Sequence, residues 1–170
     1  LHLSLRRQRQ MCIRDSSMGA ATLLHAASLE PDRFTGLTLM VPPTAWDTRP
    51  DQAANYRAAA ALIESDGVEA FHAATRGSVP PPATVGAPET WPDVADALLP
   101  SLLRGAALSD LPAPEAVAQI DVPTTILAWV DDPGHPLSTA ESLAALLPNA
   151  TLAVARTPVS YTHLTLPTKA

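Results

Sequence analysis

"SMGAATLLHAASLEPDRFTGLTLMVPP", residues 17–43, passes from an alanine- and leucine-rich run to a shorter apolar one through Glu30-Pro31-Asp32. Residues 18–29 predict a helix, ended before Pro31 because a proline ring disfavours the helical conformation of the residue before it. The run is apolar nearly all round, which predicts a buried helix. Gly19, Ala20 and Ala21 would let its first turn approach a neighbouring strand closely. The following TGLTLMVPP (35–43) lacks clean alternation of apolar and polar residues, as a strand buried on both faces of a parallel sheet should.

Two later runs read the same way, PTTILAWVDDP (123–133) and ATLAVART (150–157). Between them STAESLAALLPN (138–149) predicts a helix with Ser138 as N-cap and Glu141 completing a capping box. The order helix, strand, insertion, strand, helix, strand implies α/β architecture with right-handed crossovers. The insertion, residues 43–118, contains helical stretches in DQAANYRAAAALIESDG (51–67) and VEAFHAATRG (68–77), then the proline-rich loop SVPPPATVGAPETWP (78–92). It has no convincing strand, and a helical insertion between parallel strands is a natural cap over their carboxyl ends, where open α/β sheets bind ligands. Trp46, Tyr56, Phe71 and Trp91 are expected to form the cap's own core, with the lining of an acyl pocket as the alternative.

A chain of 170 residues suits one domain with one core, and 46% apolar with 16% charged residues places it among globular proteins. No apolar run approaches the roughly 20 residues of a membrane span, and no export signal is evident. The single cysteine, Cys12, has no internal disulfide partner; a cytoplasmic location without a membrane partner is the expectation. A net charge of −6 argues against nucleic acid as a partner. The charge is unevenly spread: Arg6, Arg7, Arg9 and Arg14 crowd the first sixteen residues and Lys169 is the sole lysine, so residues 17–157 carry six basic and sixteen acidic side chains, a net of −10. The first sixteen residues show no periodicity, and VSYTHLTLPTKA (159–170) is threonine-rich with no partner pattern. Both ends resemble peptides produced when sequencing-adapter DNA is translated in frame. The expected organisation is therefore a non-native or disordered segment at 1–16, the biological part at 17–157, and a second non-native or disordered segment at 158–170, natural disordered tails being the alternative.

The window Asp15-Ser16-Ser17-Met18-Gly19 carries the second half of a Gly-x-Ser-x-Gly nucleophile elbow, with Asp15 where the first glycine belongs. Taken alone, a serine before a helix is a common N-cap. Further along, DVPTTILAWVDDPGHP (121–136) sets Val-Pro before an apolar strand, Asp132 after it and Pro136 four residues later. Together these segments resemble the α/β-hydrolase superfamily over about residues 16–157, in the chain order serine, acid, histidine. The resemblance implies a partial doubly wound parallel sheet, the last three strands of that fold, with a helical cap insertion. It also implies a serine hydrolase acting on a small-molecule acyl substrate, a carboxylic ester or related compound, with no cofactor. Ser17 would then attack the carbonyl, the Met18 N–H would donate to the oxyanion, and Asp132 would orient a histidine. Asp131 sits one residue too early for that spacing.

The histidine itself is not found. The family places it just after the last strand, where position 160 is Ser, and His163 lacks the usual Gly-His context within a suspected foreign end. His135 reads as a polar loop residue at the mouth of the site, His25 as a core histidine and His72 as a cap-surface residue. A metal site from Asp131, Asp132 and His135 lacks a second His or Cys cluster. Strands one to five of the fold and its second oxyanion donor are absent too, and residues 11–15 are at most a substitute strand. The expectation is a chain without esterase turnover, the remaining alternative being a non-catalytic α/β interaction module in which Ser17 only caps its helix.

Overall fold

A computed structural model of the chain describes residues 11–76, 79–87 and 93–157. In chain order the elements are β1 (Met11–Ser16), α1 (Met18–Leu29), β2 (Phe34–Met40), α2 (Arg49–Asp66), α3 (Val68–Thr75), α4 (Leu99–Leu108), α5 (Pro114–Val117), β3 (Thr124–Trp129), α6 (Leu137–Leu146) and β4 (Ala150–Ala155). The described residues divide into two compact units, of which the first comprises 11–44, Pro81–Thr84 and 111–157.

The first unit holds all four strands, hydrogen-bonded in the order β1-β2-β3-β4 with every neighbouring pair parallel. Their carboxyl ends therefore lie along one side of the sheet. β3 runs buried along almost its whole length, as its unbroken apolar sequence requires. Leu37 and Leu39 from β2, Ile126 from β3, Leu24 from α1, Val117 from α5 and Leu143 from α6 are almost fully buried and build the core. Each is worth roughly 1.5–3 kcal/mol of transfer free energy.

Three expectations are corrected in this unit. The sheet has a fourth strand beside the three expected: residues 11–16, which the sequence offers at most as a substitute strand, pair with β2, with Cys12 opposite Gly36 and Ser16 opposite Met40. Nearly all its side chains are exposed, so the pairing rests on backbone hydrogen bonds, which need no apolar alternation. Helix α1 buries only Ala20, Leu23, Leu24 and Ala27 against its neighbours, while Met18 and Leu29 are exposed and His25 is a surface residue rather than a core one. A helix lying on an edge of a sheet has one face to bury, whatever its composition. Finally, Pro136 rather than Ser138 precedes the first turn of α6 and no side-chain cap forms, because the proline already supplies the turn's entry geometry.

The second unit comprises Ala45–Pro80 and Val85–Asp110, within the 43–118 expected as an insertion, and the regular elements among its described residues are all helices. Pro50 and Pro100 stand in the first turns of α2 and α4, where a missing N–H costs nothing. Gly67 joins α2 to α3 at φ 86°, a conformation that favours glycine. Ala60, Ile63, Leu99 and Leu103 form its core with Tyr56 and Phe71 packed at the margin, in keeping with the cap-core expectation for those two aromatics. Trp46 is half-buried and its backbone N–H donates to the Asp110 carboxylate, while Trp91 lies outside the described residues. Buried Arg49 ties the start of α2 to the end of α4: Nε donates to the Ser109 carbonyl at 2.6 Å, Nη2 to Ser109 Oγ at 3.0 Å and to the Ala106 carbonyl, and the guanidinium lies 5.5 Å from the Tyr56 ring centre. Those carbonyls are the ones a helix C-terminus leaves without intrahelical donors.

Candidate active site

Positive φ values in the first unit gather at the strands' carboxyl ends. Ser17 after β1 is at 51°, Val41 after β2 at 41°, and Asp131 after β3 at 58°. For non-glycine residues, and for β-branched Val41 above all, these are sparsely populated conformations that persist only where surroundings enforce them. The enforcing contacts are backbone hydrogen bonds: the Ser17 N–H donates to Met40 O at 3.0 Å, and the Val41 N–H donates to Leu127 O at 2.6 Å.

Ser17 occupies the N-cap position of α1 at φ 51° and ψ −119°, yet its side chain makes no capping hydrogen bond. Its Oγ instead lies 2.8 Å from His135 Nε2. His135 Nδ1 in turn lies 2.7 Å from Asp132 Oδ2. A carboxylate can only accept, so Nδ1 carries the imidazole proton and Nε2 is left as acceptor for the serine hydroxyl. The capping role weighed for Ser17 thus has no hydrogen bond behind it here.

Asp132 and His135 meet through the turn Asp-Pro-Gly-His. The His135 N–H donates to the Asp132 carbonyl at 3.3 Å, closing the turn, and the N–H groups of Gly134 and His135 donate to Asp132 Oδ1 at 2.8 and 3.2 Å. Oδ2 receives a further donor, the indole Nε1–H of Trp129, at 2.6 Å. The acid and the imidazole are largely enclosed, with side chains 11% and 24% exposed. Burial alone would raise the Asp132 carboxyl; the hydrogen bond and charge of His135, helped by Trp129 and Gly134, outweigh it and hold the group at about 2.

Of the residues predicted for this site, Ser17 and Asp132 are brought together through His135, which the sequence reading had set aside as a polar loop residue. Met18 opens α1 directly after Ser17, and the first-turn N–H groups of a helix have no acceptor within it. Asp131 stands one residue before the acid and does not join the hydrogen-bonded chain described for Asp132. His163 lies outside the described residues, and His72 is half-buried in the helical unit. Trp129 was missed altogether. Its only signal in the sequence was a position at the end of a strand, three residues before an acid, which is the reach of one turn. Among the described residues no group of three or more His, Cys, Asp or Glu side chains is arranged to hold a metal ion, and no helix is long and apolar enough to cross a membrane.

No protein-family model matches the chain, and no curated protein matches it in sequence. Solved structures do match in fold. A thermophilic esterase from Thermogutta terrifontis is similar over 96% of this chain and 63% of its own, at 19% identity and a TM-score of 0.71. A hydrolase from Pseudomonas aeruginosa is similar over 92% and 60%, at 20% identity and a TM-score of 0.66. An α/β hydrolase from a Medee basin deep-sea metagenome library is similar over 87% and 57%, at 19% identity and a TM-score of 0.65. The chain has a partial α/β-hydrolase fold, and it spans about three fifths of the length of these structures.

Proposed function

We propose that the site hydrolyses carboxylic esters or related acyl compounds through Ser17, with His135 as general base and Asp132 as the group that orients it. One observation carries this reading: the unbroken line from Ser17 Oγ to His135 Nε2 and from His135 Nδ1 to Asp132 Oδ2, at 2.8 and 2.7 Å. A serine hydroxyl is a weak nucleophile until an adjacent base takes its proton, and these distances are hydrogen-bond distances. The proton passes to Nε2 as Oγ bonds to the acyl carbon, and the carbonyl oxygen becomes an anion facing the Met18 N–H. Collapse of that tetrahedral adduct breaks the bond to the leaving group, which departs with the proton from Nε2. Water then enters, gives a proton to Nε2 and attacks the acyl-serine; collapse of this second adduct breaks the bond to Oγ, which takes the proton back from Nε2 as the acid leaves. Asp132 stays ionised throughout and stabilises the imidazolium.

The expectation of an inert chain rested on a histidine not found after β4 and on missing oxyanion donation. His135 supplies an answer to the first. This reading assigns one oxyanion donor, the Met18 N–H, where the family resemblance implies two, and losing one costs about 10²–10³ in rate. Formation of the covalent adduct is therefore the step to measure. A fluorescent organophosphonate should label the wild type at one site, leave Ser17→Ala unlabelled, and label His135→Ala on the order of 100 times more slowly. Equal labelling of wild type and Ser17→Ala would end this reading.

A further inference from the structure

We propose that Trp129 is a positioning residue of this site, whose indole N–H shares one oxygen of Asp132 with the imidazole and so governs where the carboxylate points and how much of its charge reaches His135. The role rests on the hydrolase reading above. Trp129 ends β3, is 9% exposed, and packs in one cluster with Val41, Ala83 and Ala155. Its ring is thus fixed by packing, and a buried indole N–H needs an acceptor. The acceptor it takes is Asp132 Oδ2, at 2.6 Å, the oxygen that also accepts from His135 Nδ1 at 2.7 Å. The two rings stand nearly perpendicular, 89° apart with centres separated by 6.3 Å. The indole therefore borders both members of the acid–base pair.

Two consequences follow from elementary electrostatics. The carboxylate has two torsions, and its backbone donors engage only Oδ1; the indole is the contact from a rigid strand that holds Oδ2 in line with the histidine. Each donor to a carboxylate also draws on its charge, so the indole competes with the imidazolium for it. Removing the N–H while keeping an aromatic ring should loosen the acid and, at the same time, strengthen its hold on a protonated His135. Among the contacts described for the indole the ionisable groups are Asp132 and His135, and Val41, Ala83 and Ala155 around it do not titrate. Asp131 in the loop and Arg156 after β4 are the neighbouring charges along the chain and are unchanged in the variant.

The test is the rate of Ser17 labelling by the organophosphonate as a function of pH, for wild type and Trp129→Phe. The plateau rate should fall about tenfold, and the acid limb should move to higher pH by about half a unit. A limb that stays in place, with or without a lower plateau, would overturn the proposal, because lost packing alone has no reason to move it. Proton NMR of the indoles provides a readout that needs no activity and no folded variant at position 129. The Trp129 indole proton should resonate downfield of the other two tryptophans in wild type and lose that displacement in Asp132→Ala; an undisplaced or unresponsive resonance overturns the proposal. Absence of Ser17-dependent labelling in wild type would remove the hydrolase reading and this role with it. Labelling with superimposed pH profiles would remove the role of Trp129 alone.

Discussion

Ser17 is held at φ 51° and ψ −119°, which costs a residue with a side chain on the order of 1–3 kcal/mol. The same tight turn brings Asp15 back over Gly19. A Cβ on Gly19 would lie 2.1 Å from the Asp15 carboxyl carbon, so an alanine at 19 forces that exposed carboxylate aside and off the Ser16 N–H from which it accepts at 2.8 Å. Gly19→Ala should therefore destabilise the chain by about 1–3 kcal/mol, and Asp15→Gly should recover most of that loss. Urea denaturation of both single variants and the double variant measures the coupling, and additive losses would show that the carboxylate simply swings away. Asp132 has a second measurable signature. Its carboxyl is lowered to about 2 in the folded chain from an ordinary 3.8, so its contribution is fully present above the unfolded value and is lost as pH falls from about 4 toward 2. Over that window wild type should lose about 2 kcal/mol more than Asp132→Asn, and parallel stability curves for the two would refute the pairing. Ser17 and Asp132 were legible from their neighbours, a Met-Gly before a helix and an apolar strand before an acid. His135 was not, because sequence separation says little about distance once Pro133-Gly134 turns the chain, and the family resemblance places its histidine in the loop after β4.

Elements were read with uneven success for physical reasons. β2, β3 and β4 announce themselves as short apolar runs, most clearly β3, whose Ile126–Trp129 stretch is buried throughout, whereas β4 at the other edge of the described sheet buries only Ala155. β1 could not be seen by that rule, since MCIRDS is held by its backbone at the edge of the described sheet with its side chains outside. The helix at Met18–Leu29 was bounded correctly by Pro31, yet its burial was overestimated, because composition cannot say how many neighbours a helix will have. These differences have an energetic counterpart. Ile126 is fully buried in β3, between β2 and β4, and Ile126→Ala should cost about 3–4 kcal/mol. Ile13, the one partly buried side chain of β1, should cost under about 1 kcal/mol when cut to alanine, since little apolar area leaves water there. Comparable losses in chemical denaturation would mean that β1 is as integral to the core as β3.

At the scale of the whole molecule, the parallel sheet does one thing that none of its strands could do alone. Because all four carboxyl ends lie on one side, the turn after β1 and the turn after β3 deliver Ser17 and Asp132-His135 to the same place, although 115 residues separate Ser17 from Asp132 in sequence. Within this first unit the strained residues Ser17, Val41 and Asp131 gather there too, while the core away from them is ordinary apolar packing. Ser17, His135 and Asp132 are thereby joined in one hydrogen-bonded line in a chain that spans about three fifths of the matched structures, and under the proposed function they act as nucleophile, base and acid with the Met18 amide as oxyanion donor. Such a site should acylate faster than it turns over: the leaving group of an activated ester needs little help, whereas water attacking the acyl-serine relies on oxyanion stabilisation that one donor provides only in part. Mixing the chain with p-nitrophenyl acetate should then release p-nitrophenol in a burst approaching one equivalent, followed by a steady rate lower by about 100-fold. Ser17→Ala should abolish the burst and His135→Ala should slow it without changing its amplitude. A linear trace from the first turnover, identical in wild type and Ser17→Ala, would mean that the hydrogen-bonded line from serine to acid is present without being a catalyst.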